Sequence, residues 1–258
     1  MVRGLYTAYT GMLNQQYRLD TITNNLANSA TTGYKREGAT ARAFDEELAI
    51  KCKDGTEGYV DRPIGKMSLG VKIGENYTDW GQGSFRNTEN TYDIAIEGNG
   101  FFSISFTNKR GQESVKYTRD GSFTTDVEGA LRTKDGDYVL NEDNEFIYIP
   151  TTGQTRIDEL GNIYNDGTYI DKIKLTDFED YNYLKKYGEN MYDAVDGAQE
   201  TAADGVFRQG YLEMSNVNVV KEMVEMITIT RAYETNQKMI QTMDTTLDKA
   251  VNSIGSIK

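Results

Sequence analysis

Apolar side chains near the C-terminus recur at alternating three- and four-residue steps: Met226, Ile229, Tyr233, Ile240, Met243, Leu247, Ala250, Ile254 and Ile257. Residues 217–254 contain neither Gly nor Pro. The pattern therefore predicts one long helix with a heptad seam, about 57 Å long if unbroken. The opening of the chain repeats the pattern more briefly, with Leu5, Ala8, Met12, Leu19, Ile22 and Leu26 in one register and Gln15 as its only polar member. This predicts a helix from about Arg3 to Ala27, roughly 35 Å long. Gly4 and Gly11 would each weaken it by up to about 1 kcal/mol relative to Ala, yet they let another backbone come close. Asn24, Asn25 and Asn28, followed by Gly33, mark its end.

Between the two helices the period changes. Residues 36–85 read as an extended connector, with a helical pattern only at Phe44–Ile50. From residue 86 the chain reads as β: Tyr92, Ile94 and Ile96 alternate with polar partners, and Gly98-Asn99-Gly100 then precedes the apolar run Phe101–Phe106. This predicts a strand, a hairpin turn and a strand. Asp120-Gly121, Glu128-Gly129, Asp135-Gly136, Gly161-Asn162 and Asp166-Gly167 follow at hairpin spacing. The fold class expected is α+β, with long N- and C-terminal helices packing as a coiled-coil-like pair around a central, mainly antiparallel β domain. The divisions fall at 1–35 (assembly helix and loop), 36–85 (connector), 86–212 (β domain) and 213–258 (assembly helix). Ser215, Asn216 and Asn218 are all competent caps for the second helix.

The helical faces are too wide for a single pair. Val220, Met223 and Ile227 add a second stripe beside the seam, and its flanks hold Thr230, Ala232, Gln237, Met239 and Thr246 where a two-stranded coil carries Glu and Lys. The first helix is also shorter than the second, so one-to-one pairing leaves part of the seam uncovered. Each buried apolar side chain contributes roughly 1.5–3 kcal/mol, so self-association is the economical remedy. The expected assembly interface is Leu5, Met12, Leu19, Ile22 and Leu26 with Met226, Ile229, Tyr233, Ile240, Met243, Leu247 and Ile254. The first partner it implies is a copy of the same chain.

Composition narrows the remaining classes. A formal charge of −12 with no basic run argues against nucleic acid as a partner. The absence of His removes the commonest general base, the Ser–His and Cys–His pairs and most transition-metal sites. No catalytic, cofactor-binding or metal-binding residue stands out. Asp135, Asp137, Asn141 and Asp143 lack the spacing of a calcium loop, and Gly98-Asn99-Gly100 opens no helix that would cradle a phosphate. The aromatic residues from Phe178 to Tyr192 suit core packing better than a carbohydrate platform. Cys52 is alone, so the fold must rest on packing. No run approaches the roughly 18 apolar residues of a membrane span, so no direct membrane insertion is expected. The N-terminus makes a poor cleavable signal.

Two motifs carry a resemblance. Asn24-Asn25-Leu26-Ala27-Asn28 followed by Thr32-Gly33-Tyr34-Lys35 resembles the N-terminal signature of the bacterial flagellar rod and hook proteins. Gly210-Tyr211-Leu212-Glu213-Met214-Ser215-Asn216-Val217-Asn218-Val219 resembles their C-terminal one. Tyr92–Phe102 and Tyr117–Phe123 look like rod segments of the distal type, with a proximal rod or hook-type protein as the alternative. The resemblance implies a non-catalytic subunit that leaves through the flagellar export apparatus without cleavage. It would polymerise helically with itself and with other rod and hook proteins, and it would reside in the basal body as part of the shaft between motor and hook. The rival from another class is a β-domain binding module on a helical stalk.

Overall fold

The computed structural model describes residues 2–51, 62–108 and 111–254. Cys52, Ile257 and the side chain of Ile254 lie outside the described residues, as do residues 52–61 of the expected connector. The fold is α+β, and the chain divides into two units, each discontinuous in sequence. One comprises Met1–Leu26, Glu37–Asp79 and Asn218–Lys258, and the other Ala27–Arg36 and Trp80–Val217. The loop after the first helix thus groups with the β-rich residues, and much of the connector groups with the helices.

In the helical unit, α1 runs Val2–Ala27 and α2 runs Val219–Lys249, ending in a wider turn at Ala250–Ile254. Asn218 caps α2, its Oδ1 accepting from the Lys221 N–H at 3.1 Å. The helices run antiparallel. A Cβ placed on Gly4 would stand 2.7 Å from the Met243 methyl, and one on Gly11 would stand 3.1 Å from the Asn236 amide. Further along, Arg18 donates to Glu225 at 2.9 Å. This corrects the expected coiled-coil pair. The contacts that place α2 along α1 fall at Gly4, Gly11 and Arg18, while of the expected α1 register only Ile22 is buried and Leu5, Met12, Leu19 and Leu26 stay half-exposed. At the two glycines the Met243 and Asn236 side chains of α2 lie against α1 where a Cβ would otherwise stand.

Two antiparallel ribbons complete this unit: Glu37–Ala43 with Val71–Thr78, and Glu47–Lys51 with Arg62–Met67. The second overturns the helical reading of Phe44–Ile50, because cross-strand pairing overrides a weak local propensity. Pro63 is tolerated there because a two-stranded ribbon leaves every strand an open edge. Thr7 Oγ1 donates to the Leu69 carbonyl at 2.9 Å, and Tyr6 stacks on Phe44 at 6.3 Å, so α1 packs on the first ribbon's end of the unit.

In the β-rich unit the strand Phe101–Thr107 lies inside a nine-stranded sheet, between Glu113–Thr118 on one side and Tyr138–Val139 and Leu175–Phe178 on the other. Successive side chains point to opposite faces, and both faces are covered, which is why the strand reads as an almost continuous apolar run. Phe102 and Ile104 enter the main core with Phe123, Leu131, Val139, Ile147, Ile163 and Phe207. Phe101 enters a smaller aromatic core with Tyr117, Phe178 and Tyr192, against which Trp80 and Tyr181 pack. The aromatic residues at Phe178 and Tyr192 are therefore core.

Several turns fall where the sequence placed them. Asp166 and Gly167, at φ 47° and 82°, form the two-residue link between Asn162–Asn165 and Thr168–Lys172. The turn at Gly98-Asn99-Gly100 is different. Ile94–Glu97 pairs with Val206–Gln209, whereas Phe101–Thr107 pairs with Glu113–Thr118, so these neighbours in sequence belong to separate sheets. Positive φ at Gly98 and Gly100 (101° and 125°) lets the chain change sheets where a hairpin was expected.

Candidate functional site

The two signature motifs, almost two hundred residues apart in sequence, meet inside the β-rich unit. Gly33 N–H donates to the Glu213 carbonyl at 2.9 Å, from a backbone with φ 69°. A Cβ on Gly33 would stand 2.5 Å from the Asp120 nitrogen, so only Gly fits this approach. Lys35 Nζ pairs with Glu213 Oε1 at 2.6 Å and also donates to the Gly81 carbonyl at 3.0 Å. Arg119 Nη1 reaches Glu213 Oε2 at 3.4 Å, and the Gly83 N–H donates to Oε1 at 2.9 Å. The side chains of Lys35 and Glu213 are 1% and 0% exposed. Ions taken this far from water cost several kcal/mol each, so the site holds only because the carboxylate gathers three donors around it.

The surrounding groups fix the geometry. The Arg119 guanidinium lies over the Phe101 ring at 5.2 Å, and Lys186 Nζ lies over the Tyr34 ring at 4.0 Å. Thr32 Oγ1 donates to Asp120 Oδ1 at 2.8 Å. Asn216 acts from the other motif: its Oδ1 accepts from the Arg36 N–H at 2.7 Å and its Nδ2 donates to the Gly81 carbonyl at 3.0 Å. Ser215 Oγ accepts from the Val217 N–H at 3.3 Å. Asn28 Oδ1 accepts from Thr31 Oγ1 at 3.2 Å, closing the turn after α1.

Asn25 does comparable work in the helical unit. Its side chain donates to the Glu37 carbonyl at 2.7 Å and accepts from the Glu37 N–H at 2.9 Å, which is the bonding of one strand residue supplied by an amide side chain. Its Nδ2 also lies 3.4 Å from Glu222 Oε2, and both residues are fully buried. Asn24 and Ala27 are exposed, and Leu26 is half-buried.

Of the seam positions, Ile22 and Ile229 are buried. Leu5, Met12, Leu19 and Leu26 on α1, and Met226, Tyr233, Ile240, Met243 and Leu247 on α2, are half-buried. The structure adds residues that sequence reasoning did not single out as site residues: Glu213, Arg119 and Glu222. Glu213 had a signal, since a lone acid in one motif complements the lone Lys35 in the other. Arg119 and Glu222 had none, because their value depends on what the fold sets beside them.

Terminal helices folded together, a separate β-rich unit and a buried ionic junction between the two signature motifs define a structural assembly subunit. Comparison with known proteins makes this specific. Residues 5–35 match the family described as flagella basal body rod protein. Residues 95–165 match the flagellar hook protein FlgE/F/G D1 domain, and residues 208–253 match the flagellar basal body rod FlgEFG protein C-terminal. The flagellar basal-body rod protein FlgG of Borreliella burgdorferi is 36% identical, over 98% of each chain. FlgG of Bacillus subtilis is 33% identical, over 98% of this chain and 99% of its own. The flagellar basal-body rod protein FlgF of Caulobacter vibrioides is 33% identical over the whole of both. The chain belongs to the flagellar basal-body rod protein family and is FlgG-like: a structural subunit of the rod, located in the flagellar basal body.

Proposed function

We propose that this subunit polymerises helically through its terminal helices, joining copies of itself and other rod and hook proteins into the drive shaft between motor and hook. It reaches the growing end through the flagellar export apparatus without cleavage, and it catalyses no reaction. The observation that carries this reading is the half-covered apolar face of α2: Ile240, Met243 and Leu247 keep part of their surface in water although α1 lies alongside. Covering such a face contributes roughly 1.5–3 kcal/mol per side chain when burial becomes complete, and repeated copies supply the cover. The FlgG-named relatives favour a distal position in the rod. The Caulobacter FlgF relative favours a second, proximal reading.

Deleting residues 219–258 and imaging concentrated protein by electron microscopy tests the first proposal. The full chain is expected to form tubes or filaments and the truncated chain none, while the fluorescence melt of Trp80 in the β-rich unit persists. Discrete small oligomers from the full chain would favour a stalked binding module and refute polymerisation. Labelling a tagged chain in isolated basal bodies separates the two positions, since distal placement puts the label at the hook end.

A further inference from the structure

The turn at Gly98-Asn99-Gly100 holds chemistry that its structural task does not use. Asn99-Gly100 is the only Asn-Gly pair in the chain. In such a pair the backbone nitrogen of the glycine can attack the amide carbon of the asparagine, and no Cβ obstructs the approach. The reaction needs an amide open to water, a nitrogen not held in a hydrogen bond, and a backbone free to swing. Asn99 meets all three needs. The residue is exposed. Among the described residues the Gly100 N–H donates no hydrogen bond, because the pairings of the following strand begin at Phe101. The glycines on either side, at φ 101° and 125°, leave Asn99 with no neighbouring side chain to restrict its rotation.

We propose that Asn99 is a site of spontaneous deamidation, which converts this turn to aspartate or isoaspartate as the subunit ages. The Gly100 nitrogen gives up its proton and bonds to Asn99 Cγ, and the side-chain nitrogen, taking up a proton, leaves as ammonia. Water then opens the succinimide at one of its two carbonyls. Opening at Cγ gives aspartate, whereas opening at the Asn99 backbone carbonyl gives isoaspartate, whose main chain is one methylene longer. One water is consumed, one ammonia is released, and nothing is oxidised or reduced. Other candidates lack one of the conditions. Asp135-Gly136, Asp166-Gly167 and Asp196-Gly197 carry a carboxylate where the amide is needed. Asn165 is buried, and its amide donates to the Pro150 and Thr152 carbonyls at 3.3 and 2.9 Å.

The fold leaves the longer product no room. A Cβ on Gly205 would stand 2.5 Å from the Asn99 carbonyl oxygen, and one on Gly100 would stand 2.9 Å from Leu175 and 3.0 Å from Ala203. Gln82 holds the turn as well, accepting from the Gly98 N–H at 3.4 Å and donating to the Ile96 carbonyl at 2.7 Å. An added methylene therefore disturbs the crossing between the two sheets. Aspartate keeps the main chain as it is and adds only an exposed charge.

The full chain, aged in mildly alkaline buffer with and without urea, tests this by digestion and mass spectrometry. In the folded chain the mass gain of NH2 replaced by OH is expected first in the Asn99 peptide, in proportion to hydroxide and within about tenfold of its rate in urea. A slower folded-state rate, or earlier gain at another asparagine, would overturn the proposal. Isoaspartate in that peptide is counted with an isoaspartyl methyltransferase and a labelled methyl donor. The aged chain is expected to show a second, lower Trp80 fluorescence transition whose amplitude follows the isoaspartate content. Freshly made Asn99→Asp is expected to melt like the fresh chain, and Asn99→Gln to keep its melt on ageing, because the longer side chain closes its ring far more slowly. A lowered melt in fresh Asn99→Asp would assign the effect to charge and overturn the methylene argument, as would isoaspartate with an unchanged melt.

Discussion

Replacing Glu213 by Gln removes one charge from the motif junction while keeping the shape and an oxygen for the Gly83 N–H. What it leaves behind decides the magnitude. Lys35 keeps its bond to the Gly81 carbonyl at 3.0 Å, but Arg119, 5% exposed, loses the carboxylate it faces, and its Nε has no hydrogen-bond partner. Breaking a buried ion pair by removing one partner costs about 3–5 kcal/mol. For a unit of this size, about 2–4 °C of melting temperature per kcal/mol gives a fall of about 6–20 °C. Trp80 is the assay. It is the only tryptophan in the chain and packs at 4.8 Å from Tyr192 and 5.5 Å from Phe101, so its fluorescence reports the β-rich unit. Lys35→Met combined with Glu213→Gln is expected to recover part of the loss, because the second change removes one stranded cation, and a double-mutant cycle measures that coupling. A fall of less than about 2 °C in Glu213→Gln would show that the junction's charges are solvated or compensated elsewhere, and would refute the reasoning.

Three further outcomes test other parts of the structure. Gly83→Ala and Gly121→Ala place a Cβ 1.8 Å from the Met214 oxygen and 1.6 Å from the Ile94 oxygen, so urea unfolding is expected to show losses of about 3 kcal/mol or more. Gly136→Ala, with open space around it, is expected to lose only about 1 kcal/mol for its positive φ. Asn25→Ala removes both bonds to the Glu37 backbone and is expected to cost about 2 kcal/mol or more, read as lost hydrogen-exchange protection at the Glu37 amide. The phenol of Tyr181 is pushed up to about 12 by burial and then by its bond to Asp177, and that of Tyr117 is raised by burial and then by its bond to Glu200. Both favour the neutral form in the folded state. For Tyr181 the stabilising contribution is therefore fully present below pH 10 and lost as pH rises through about 12, and the contribution of Tyr117 is lost in the same direction. Ultraviolet titration is expected to show these two ionising after the exposed tyrosines, and simultaneous ionisation of all tyrosines in the folded protein would contradict the assignment.

The sequence was most informative where a local pattern repeats. The long Gly-free, Pro-free period specified α2, because an amphipathic stripe must be helical to lie on one face, and Asp166-Gly167 specified its turn, because few residues accept the left-handed backbone it needs. The strand Phe101–Thr107 was legible as a strand but not as a central one buried on two faces. Its partners were hidden, since Gly98-Asn99-Gly100 has the chemistry of a hairpin turn and the choice of sheet is made by the distant strand Val206–Gln209. The strand Glu47–Lys51 was misread as helix for the same reason: its conformation is supplied by pairing with Arg62–Met67.

By itself, then, the sequence determined the two helices, their apolar faces, the β character of the middle and, through motifs at both ends, membership of the flagellar rod family. Only the tertiary structure decided that Lys35, Arg119 and Glu213 share one buried site, and that α2 is placed along α1 at Gly4, Gly11 and Arg18 while most of the α1 register stays half-exposed. Periodicity is a property of neighbours along the chain and can be read from it. Desolvation, and the pairing of charges that makes it tolerable, belongs to groups brought together from distant positions, and no local pattern records which of them will meet.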